Sequence, residues 1–210
     1  EQVELIRQVF EYIQRFRGKT FVIKIDCSVM DDPFFSMLVK DLVLLYRLGI
    51  RVVLVPGAKR RIDEILTRYG ILWETFDGIR ISTPEAIPFI KMAAFDVSNR
   101  LMTQLAVNNV NAIIGNWVRA RGLGVLKGVD YQSTGLVEKV NVEIVRKALE
   151  DGLIPIFPNI GWNLNGKPYN ISSSELACYL AGSLAAEKLF FISHHHGVNT
   201  SDYRLPEVLE

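Results

Sequence analysis

A lysine that ends a short β-rich run is well placed to meet an anion, and Phe21–Ile25 carries one at Lys24. Asp26 and Cys27 follow it directly. A second run, Arg51 to Val55, leads into Pro56-Gly57-Ala58, and Arg80 sits in a third, Ile79-Arg80-Ile81. In open parallel sheets, ligands bind beyond the carboxyl ends of the strands. That rule nominates four loops: Lys24 to Met30, Pro56 to Arg60, Gly115 to Arg121 and Ser193 to Gly197. Helix N-termini behind such loops present free N–H groups to a carboxylate or phosphate, and Lys24, Lys59, Arg60, Arg61 and Arg80 add positive charge. Other chemistries find less support. His194, His195 and His196 are adjacent, and neighbouring strand residues face opposite ways, so they read as a loop rather than a metal site. Arg119 to Gly124 matches R-x-x-G-x-G, a pyrophosphate cradle of acetyltransferases, but hairpin-like sequence follows where that cradle needs a helix. There is no G-x-S-x-G elbow and no G-x-x-x-x-G-K-S/T phosphate loop.

The elements that must position these residues alternate. Val3, Ile6, Phe10, Ile13 and Phe16 recur at helical spacing and end at Gly18. That helix either packs on its own domain or docks onto a second subunit. Strand Phe21–Ile25 is followed by a helix opening at Asp31-Asp32-Pro33, then by strand Arg51–Val55 and a helix over Ile62–Tyr69. Ser82 to Glu85 predicts a capping box ahead of a long helix to about Ala106. Residues Asn111–Val118 predict one central strand, residues 119–140 glycine-punctuated hairpins, and residues 141–150 a helix. Leu153–Ile160 predicts another strand. Asn165-Gly166 predicts a tight hairpin, and Ser172 to Glu175 a second capping box before a helix to about Ala186. Lys188–Ser193 is the last predicted strand. Strand–helix alternation of this kind builds parallel βαβ units. The expected fold is α/β: a three-layer αβα sandwich around a mostly parallel sheet, with a central β-hairpin insertion.

Composition bounds the function. Of 210 residues, 49% are hydrophobic and 22% charged, the balance of a water-soluble folded domain. Lys plus Arg number 24 against 23 Asp plus Glu. A net charge of +1 gives no electrostatic reason to expect nucleic acid or an anionic membrane as partner. Cys27 and Cys178 have no metal-ligand spacing, and two reduced thiols fit the cytoplasm. No apolar run approaches the roughly 20 residues a membrane span needs.

Taken in order, these loops resemble a known family. Phe21-Val-Ile-Lys24 resembles the first strand of amino-acid kinases, and Val53-Leu-Val-Pro-Gly57-Ala their second strand and glycine-rich loop. Asp77-Gly-Ile-Arg80-Ile-Ser82 resembles the element whose arginine holds the ligand carboxylate in N-acetylglutamate kinases. Tyr169-Asn170-Ile-Ser172-Ser-Ser174-Glu175 resembles the element near their phosphoryl site. Within that superfamily, Val55 to Asp63, Gly115 to Gly135 and Asn170 to Glu175 look like the kinase-like domain of bacterial N-acetylglutamate synthases. The resemblance implies a substrate-like pocket formed by Lys24, Gly57, Arg80 and Asn170. It implies L-arginine as an allosteric ligand and homo-oligomers linked through the leading helix. It also implies a parent enzyme that joins acetyl-coenzyme A and glutamate in arginine biosynthesis. The boundaries expected are 1–18 for the helix and 19–210 for the kinase-like domain. The C-terminal part of that domain and an acetyl-coenzyme A-using GNAT domain are expected outside this chain.

Three departures from the kinase pattern bear on chemistry. Asp26 and Cys27 replace the two glycines that follow the kinase lysine, and Ser174 replaces the aspartate that positions the kinase lysines. A carboxylate about 4 Å from a phosphate repels it by about 1 kcal/mol even in water, and phosphoryl transfer depends on positioning and charge stabilisation. The implied domain is regulatory, with no catalytic residue, cofactor or metal of its own. Two other functions remain open: an acetylglutamate kinase using ATP and magnesium, and a stand-alone regulatory protein.

Overall fold

The computed structural model describes residues 2–194. In chain order the elements are α1 (Gln2–Phe16), β1 (Thr20–Ile25), α2 (Phe35–Arg47), β2 (Arg51–Pro56), α3 (Lys59–Arg68), β3 (Glu74–Phe76), β4 (Ile79–Ile81) and α4 (Ile87–Val107). They continue with β5 (Ala112–Ile114), β6 (Val118–Gly122), β7 (Val125–Leu126), β8 (Val129–Asp130), β9 (Gly135–Val140) and α5 (Val142–Glu150). The chain closes with β10 (Ile154–Ile156), β11 (Ile160–Trp162), β12 (Pro168–Asn170), α6 (Ser173–Ser183) and β13 (Lys188–Ile192).

Five strands form a wholly parallel sheet in the order β13-β1-β2-β10-β5. The two-residue period of a strand divides its side chains between two cores. Phe21, Ile23, Ile25, Val52 and Leu54 pack with α2, α3 and α4, while Val22, Val53 and Val55 pack with α5 and α6 on the other face. The expected αβα sandwich is therefore present. Lys24 shares the second face with Val22 and is buried at the carboxyl end of β1.

The hairpin insertion is larger than expected. Sheet β12-β11-β6-β9 is a four-stranded layer of its own, with the small hairpin β7–β8 between β6 and β9. Two predicted strands each split to make it. Residues 111–118 give β5 to the parallel sheet and the start of β6 to the second one. Residues 153–160 likewise give β10 and the start of β11. Pro158 lies at that second break and has no N–H to continue the ladder.

Two predicted helix starts are corrected. α4 opens at Ala86 with no side-chain cap, because Ser82 is fully buried and hydrogen-bonded elsewhere; Thr83 Oγ1 accepts from the Ala86 N–H instead. Asp31 belongs to a 3₁₀ turn over Cys27–Asp31, and α2 starts at Phe35 without a side-chain cap. The capping residue expected at Ser172 holds, its Oγ accepting from the Glu175 N–H at 3.2 Å. The Asn165-Gly166 hairpin also forms, between β11 and β12.

Among the described side chains of α1, those of its last turn are tied down. Phe16 is 4% exposed and its ring lies 5.5 Å from that of Phe21, whereas Val3, Ile6 and Phe10 stand in solvent. No helix among the described residues is long and apolar enough to cross a membrane.

Candidate functional site

A cavity of about 580 Å³ opens at the carboxyl ends of β1 and β2. All seven residues singled out from the sequence line it: Lys24, Asp26, Cys27, Gly57, Arg80, Asn170 and Ser174. They come from five segments. β1 ends in Lys24, and β2 runs into Gly57, whose N–H donates to Ile25 O at 2.8 Å. Arg80 arrives on β4, where Asp77 and Gly78 turn the β3–β4 hairpin with φ of 50° and 74°. Two successive positive φ values mark the tight turn matched to strand twist. Asn170 ends β12, and Ser174 lies in the first turn of α6. The N-termini of α3 and α6 both border the cavity, offering unsatisfied N–H groups and positive dipole ends.

Gly57 is constrained by its neighbours. A Cβ there would lie 3.3 Å from Ser173 Oγ and 3.6 Å from Asp26 Oδ1. The close approach of β2 to α6 leaves tight room for a side chain there, one that the Ser173 hydroxyl would have to yield slightly to admit.

The two buried cations of the cavity are each paired with a carboxylate. Lys24 Nζ pairs with the Asp26 carboxylate, and Arg80 Nη2 pairs with Asp63. The Arg80 guanidinium also lies over the Trp73 ring, 4.9 Å from its centroid, a favourable cation–π geometry. Asp26 therefore engages the buried lysine of the cavity. Cys27 is buried beside this pair, and burial pushes its thiol above the ordinary range; a backbone N–H from Arg61 opposes the rise.

A buried polar chain forms the opposite wall. Asn159 Nδ2 donates to Asn170 Oδ1 at 3.0 Å, and Asn170 Nδ2 donates to Ser82 Oγ at 3.0 Å. Ser82 and Thr134 hydroxyls meet at 2.9 Å, and Thr134 Oγ1 donates to Arg80 O at 2.6 Å. Among the described residues, two buried side-chain polar atoms have no hydrogen-bond partner: Arg80 Nη1 and Asn159 Oδ1.

The sequence reading missed Asp63, Ser82, Thr134 and Asn159 as members of the site. Two of the four nominated loops line the cavity, those after β1 and β2. The stretch Gly115 to Arg121 does not, and Arg119-Ala-Arg121-Gly-Leu-Gly124 runs along β6 into a hairpin rather than a helix. His194 Nε2 lies 3.3 Å from Ser28 O; His195 and His196 fall outside the described residues. Among the described residues, no group of three or more His, Cys, Asp or Glu side chains is placed to hold a metal ion.

The amino acid kinase family model matches residues 19–209. This chain belongs to the amino acid kinase family. Its relatives include the amino-acid acetyltransferase of Pasteurella multocida (strain Pm70), 34% identical over 203 residues that cover 94% of this chain and 46% of the relative. The amino-acid acetyltransferase of Escherichia coli (strain K12) is 33% identical over 211 residues, 96% of this chain and 48% of the relative. The chain thus spans about half the length of these curated relatives. Among solved structures, N-acetylglutamate synthase from Neisseria gonorrhoeae, complexed with coenzyme A and L-arginine, superposes with a TM-score of 0.89 at 29% identity. It covers 100% of this chain and 51% of the synthase. Carbamate kinase from Giardia, at 12% identity and a TM-score of 0.56 over 83% of this chain and 71% of its own, shares the fold.

Proposed function

We propose that this chain is the kinase-like regulatory and assembly domain of an N-acetylglutamate synthase, the acetyltransferase that joins acetyl-coenzyme A to L-glutamate at the first step of arginine biosynthesis. The observation that carries the reading is the pairing of Lys24 with Asp26 at the end of β1. A kinase active site needs that lysine free for phosphate oxygens, since phosphoryl transfer is accelerated almost wholly by positioned positive charge. Here the lysine is neutralised by its neighbour. The domain by itself is non-catalytic in this reading. Acetyl transfer, and the acetyl-coenzyme A that supplies it, belong to a GNAT domain in the half of the relatives' length that this chain does not span. The names of the relatives and the arginine complex of the Neisseria synthase support the assignment and nominate L-arginine as the allosteric ligand.

The division of labour within the chain follows. In this reading residues 1–18 are the assembly segment, carrying α1, and residues 19–210 are the kinase-like domain. The exposed apolar residues Val3, Ile6 and Phe10 of α1 fit a second copy of the chain. A biosynthetic enzyme of this kind works in the cytoplasm.

Thermal unfolding tests the reading, because a ligand that binds only the folded state raises its midpoint. With L-arginine near one hundred times its dissociation constant, stabilisation of about 2.7 kcal/mol corresponds to a rise of about 5 °C or more. ATP with magnesium is expected to leave the midpoint unchanged. A rise with ATP and magnesium alone overturns the regulatory reading in favour of an acetylglutamate kinase. No rise with either, in a chain extended to the relatives' full length, leaves a regulatory protein outside the arginine pathway.

A further inference from the structure

One wall of the cavity is a small sheet that stands by itself. β3 and β4 pair with each other over three residues each and with no other named strand. Thr75, Gly78, Ile79 and Arg80 of this hairpin line the cavity. A lone two-stranded hairpin is at best marginally stable in water, so its position depends on what else holds it. Beyond the Arg80 side chain, the polar ties from residues 74–81 run to one stretch, residues 127–134. At the base, Thr134 Oγ1 donates to Arg80 O at 2.6 Å. Nearer the tip, the Tyr131 hydroxyl donates to Phe76 O at 3.4 Å, and at the tip itself Lys127 Nζ donates to Asp77 Oδ2 at 2.5 Å. That stretch is firmly set. Tyr131 is 1% exposed, its N–H donates to Gly124 O at 3.0 Å, and the Ser133 N–H donates to Ser82 O at 2.8 Å. The tips of the two hairpins are built alike. Lys127 and Gly128 have φ of 52° and 77°, as Asp77 and Gly78 have 50° and 74°. Each turn thus presents its first residue at a fixed place, and the two residues presented carry opposite charges.

We propose that residues 127–134 are a strap on the β3–β4 wall, with the Lys127–Asp77 pair as its outer fastening. Releasing the pair loosens the hairpin tip, while the Thr134 tie holds the base. Gly78 and Ile79 belong to the tip and line the cavity, whereas Lys127 and Tyr131 do not. The β7–β8 hairpin therefore acts on the shape of the cavity from outside it. The Lys127 and Asp77 side chains are 65% and 49% exposed. An exposed pair is weak and screened by salt, so this fastening can part and re-form without unfolding the sheet behind it. The inference concerns the mobility of one wall and depends neither on the acetyltransferase reading nor on any ligand.

The test is amide hydrogen exchange of the native 210-residue chain at low salt, read by mass spectrometry. Lys127→Glu sets two carboxylates against each other and is expected to speed exchange of residues 74–81 about two- to fivefold. The amides of β1 and the melting midpoint are expected to stay as in the parent chain. Asp77→Lys is expected to act in the same way. Should a lysine distort the turn at position 77, Asp77→Asn removes the charge with a residue that accepts the left-handed conformation, and a rise is again expected. Lys127→Glu combined with Asp77→Lys restores the pair in reverse and is expected to return exchange to the parent rate. Salt of about 1 M, where the screening length falls to about 3 Å, is expected to bring the parent chain toward the rate of Lys127→Glu. Unchanged exchange of residues 74–81 in Lys127→Glu overturns the proposal. So does a double variant that stays as fast as the single ones, or a rise shared equally by β1, which would report loosening of the whole domain.

Discussion

Cys27 and Cys178 show how far a residue's surroundings outweigh its type. Cys27 is buried beside the Lys24–Asp26 pair, while Cys178 is exposed on α6. The thiolate is the reactive form, and burial raises the Cys27 thiol, so Cys27 stays protonated through neutral pH. Maleimide labelling of the native chain near pH 7 is expected to modify Cys178 at least about tenfold faster than Cys27, read by peptide mass spectrometry. Comparable rates would mean that the cavity floor opens readily. The raised thiol also carries a sign. Its contribution to stability is complete below the unfolded thiol's ordinary value and is lost as pH rises toward the folded one; Cys27→Ala is therefore expected to flatten the loss of stability above pH of about 8.5. A second residue-scale prediction concerns phosphate. Asp26→Gly with Cys27→Gly frees Lys24 and is expected to give measurable ATP binding by calorimetry; no gain would place the obstacle at Ser174 or in the Arg80–Asp63 pair. The seven residues named from the sequence do meet in one cavity, because each follows a strand or opens a helix, and such ends are legible in local sequence. Asp63, Ser82, Thr134 and Asn159 were not legible. Their roles rest on contacts such as Asn170 to Ser82, across 88 positions, and Ser82 to Thr134, across 52, which no local pattern records.

At the scale of elements, the two strands that sequence periodicity left whole, residues 111–118 and 153–160, are each divided between two sheets. A run of apolar residues signals burial, but it does not say in which sheet. The parallel sheet buries Ile154 and Ile156, the second sheet Ile160, and all three look alike in sequence. What marks the crossing is small. Gly161 packs so closely on β6 that an added Cβ would lie 2.6 Å from the Ala120 methyl group. Gly161→Ala is thus expected to cost about 1–3 kcal/mol by overpacking, a fall in melting midpoint of about 3–10 °C. Gly182→Ala is the opposite case: α6 has open space there, with nothing within 4 Å, and gains about 0.5–1 kcal/mol from the better helix former. Differential scanning calorimetry of both variants checks the pair. If Gly161→Ala melts like the parent chain, β11 and β6 do not pack at the observed distance.

At the scale of the molecule, the open question is what covers α1. A helix of 15 residues is marginal in water by itself, so a face this apolar needs a partner along its length. Its own domain supplies one only at the C-terminal end. There Phe16 packs on Phe21, the Tyr12 and Phe16 rings lie 4.4 Å apart, and Lys188 Nζ sits 4.6 Å from the Phe16 centroid. Val3, Ile6 and Phe10, at 63%, 53% and 67% exposure, reach nothing comparable. Fully burying an exposed side chain of this size stabilises by up to about 1.5–3 kcal/mol, so three of them against a second copy offset part of the cost of association. Deleting the whole helix is a poor test, since it removes Phe16 from the core and confounds assembly with folding. Ile6→Glu with Phe10→Glu leaves that anchor intact. Sedimentation velocity is expected to show the double variant in a smaller species than the parent chain at equal concentration, with a monomer core that melts within a few degrees of the original. An unchanged sedimentation coefficient would exclude α1 as the assembly element. A smaller species together with a collapsed melting midpoint would instead show that the body of the chain is stable only when assembled, as in dimers whose protomers do not fold alone.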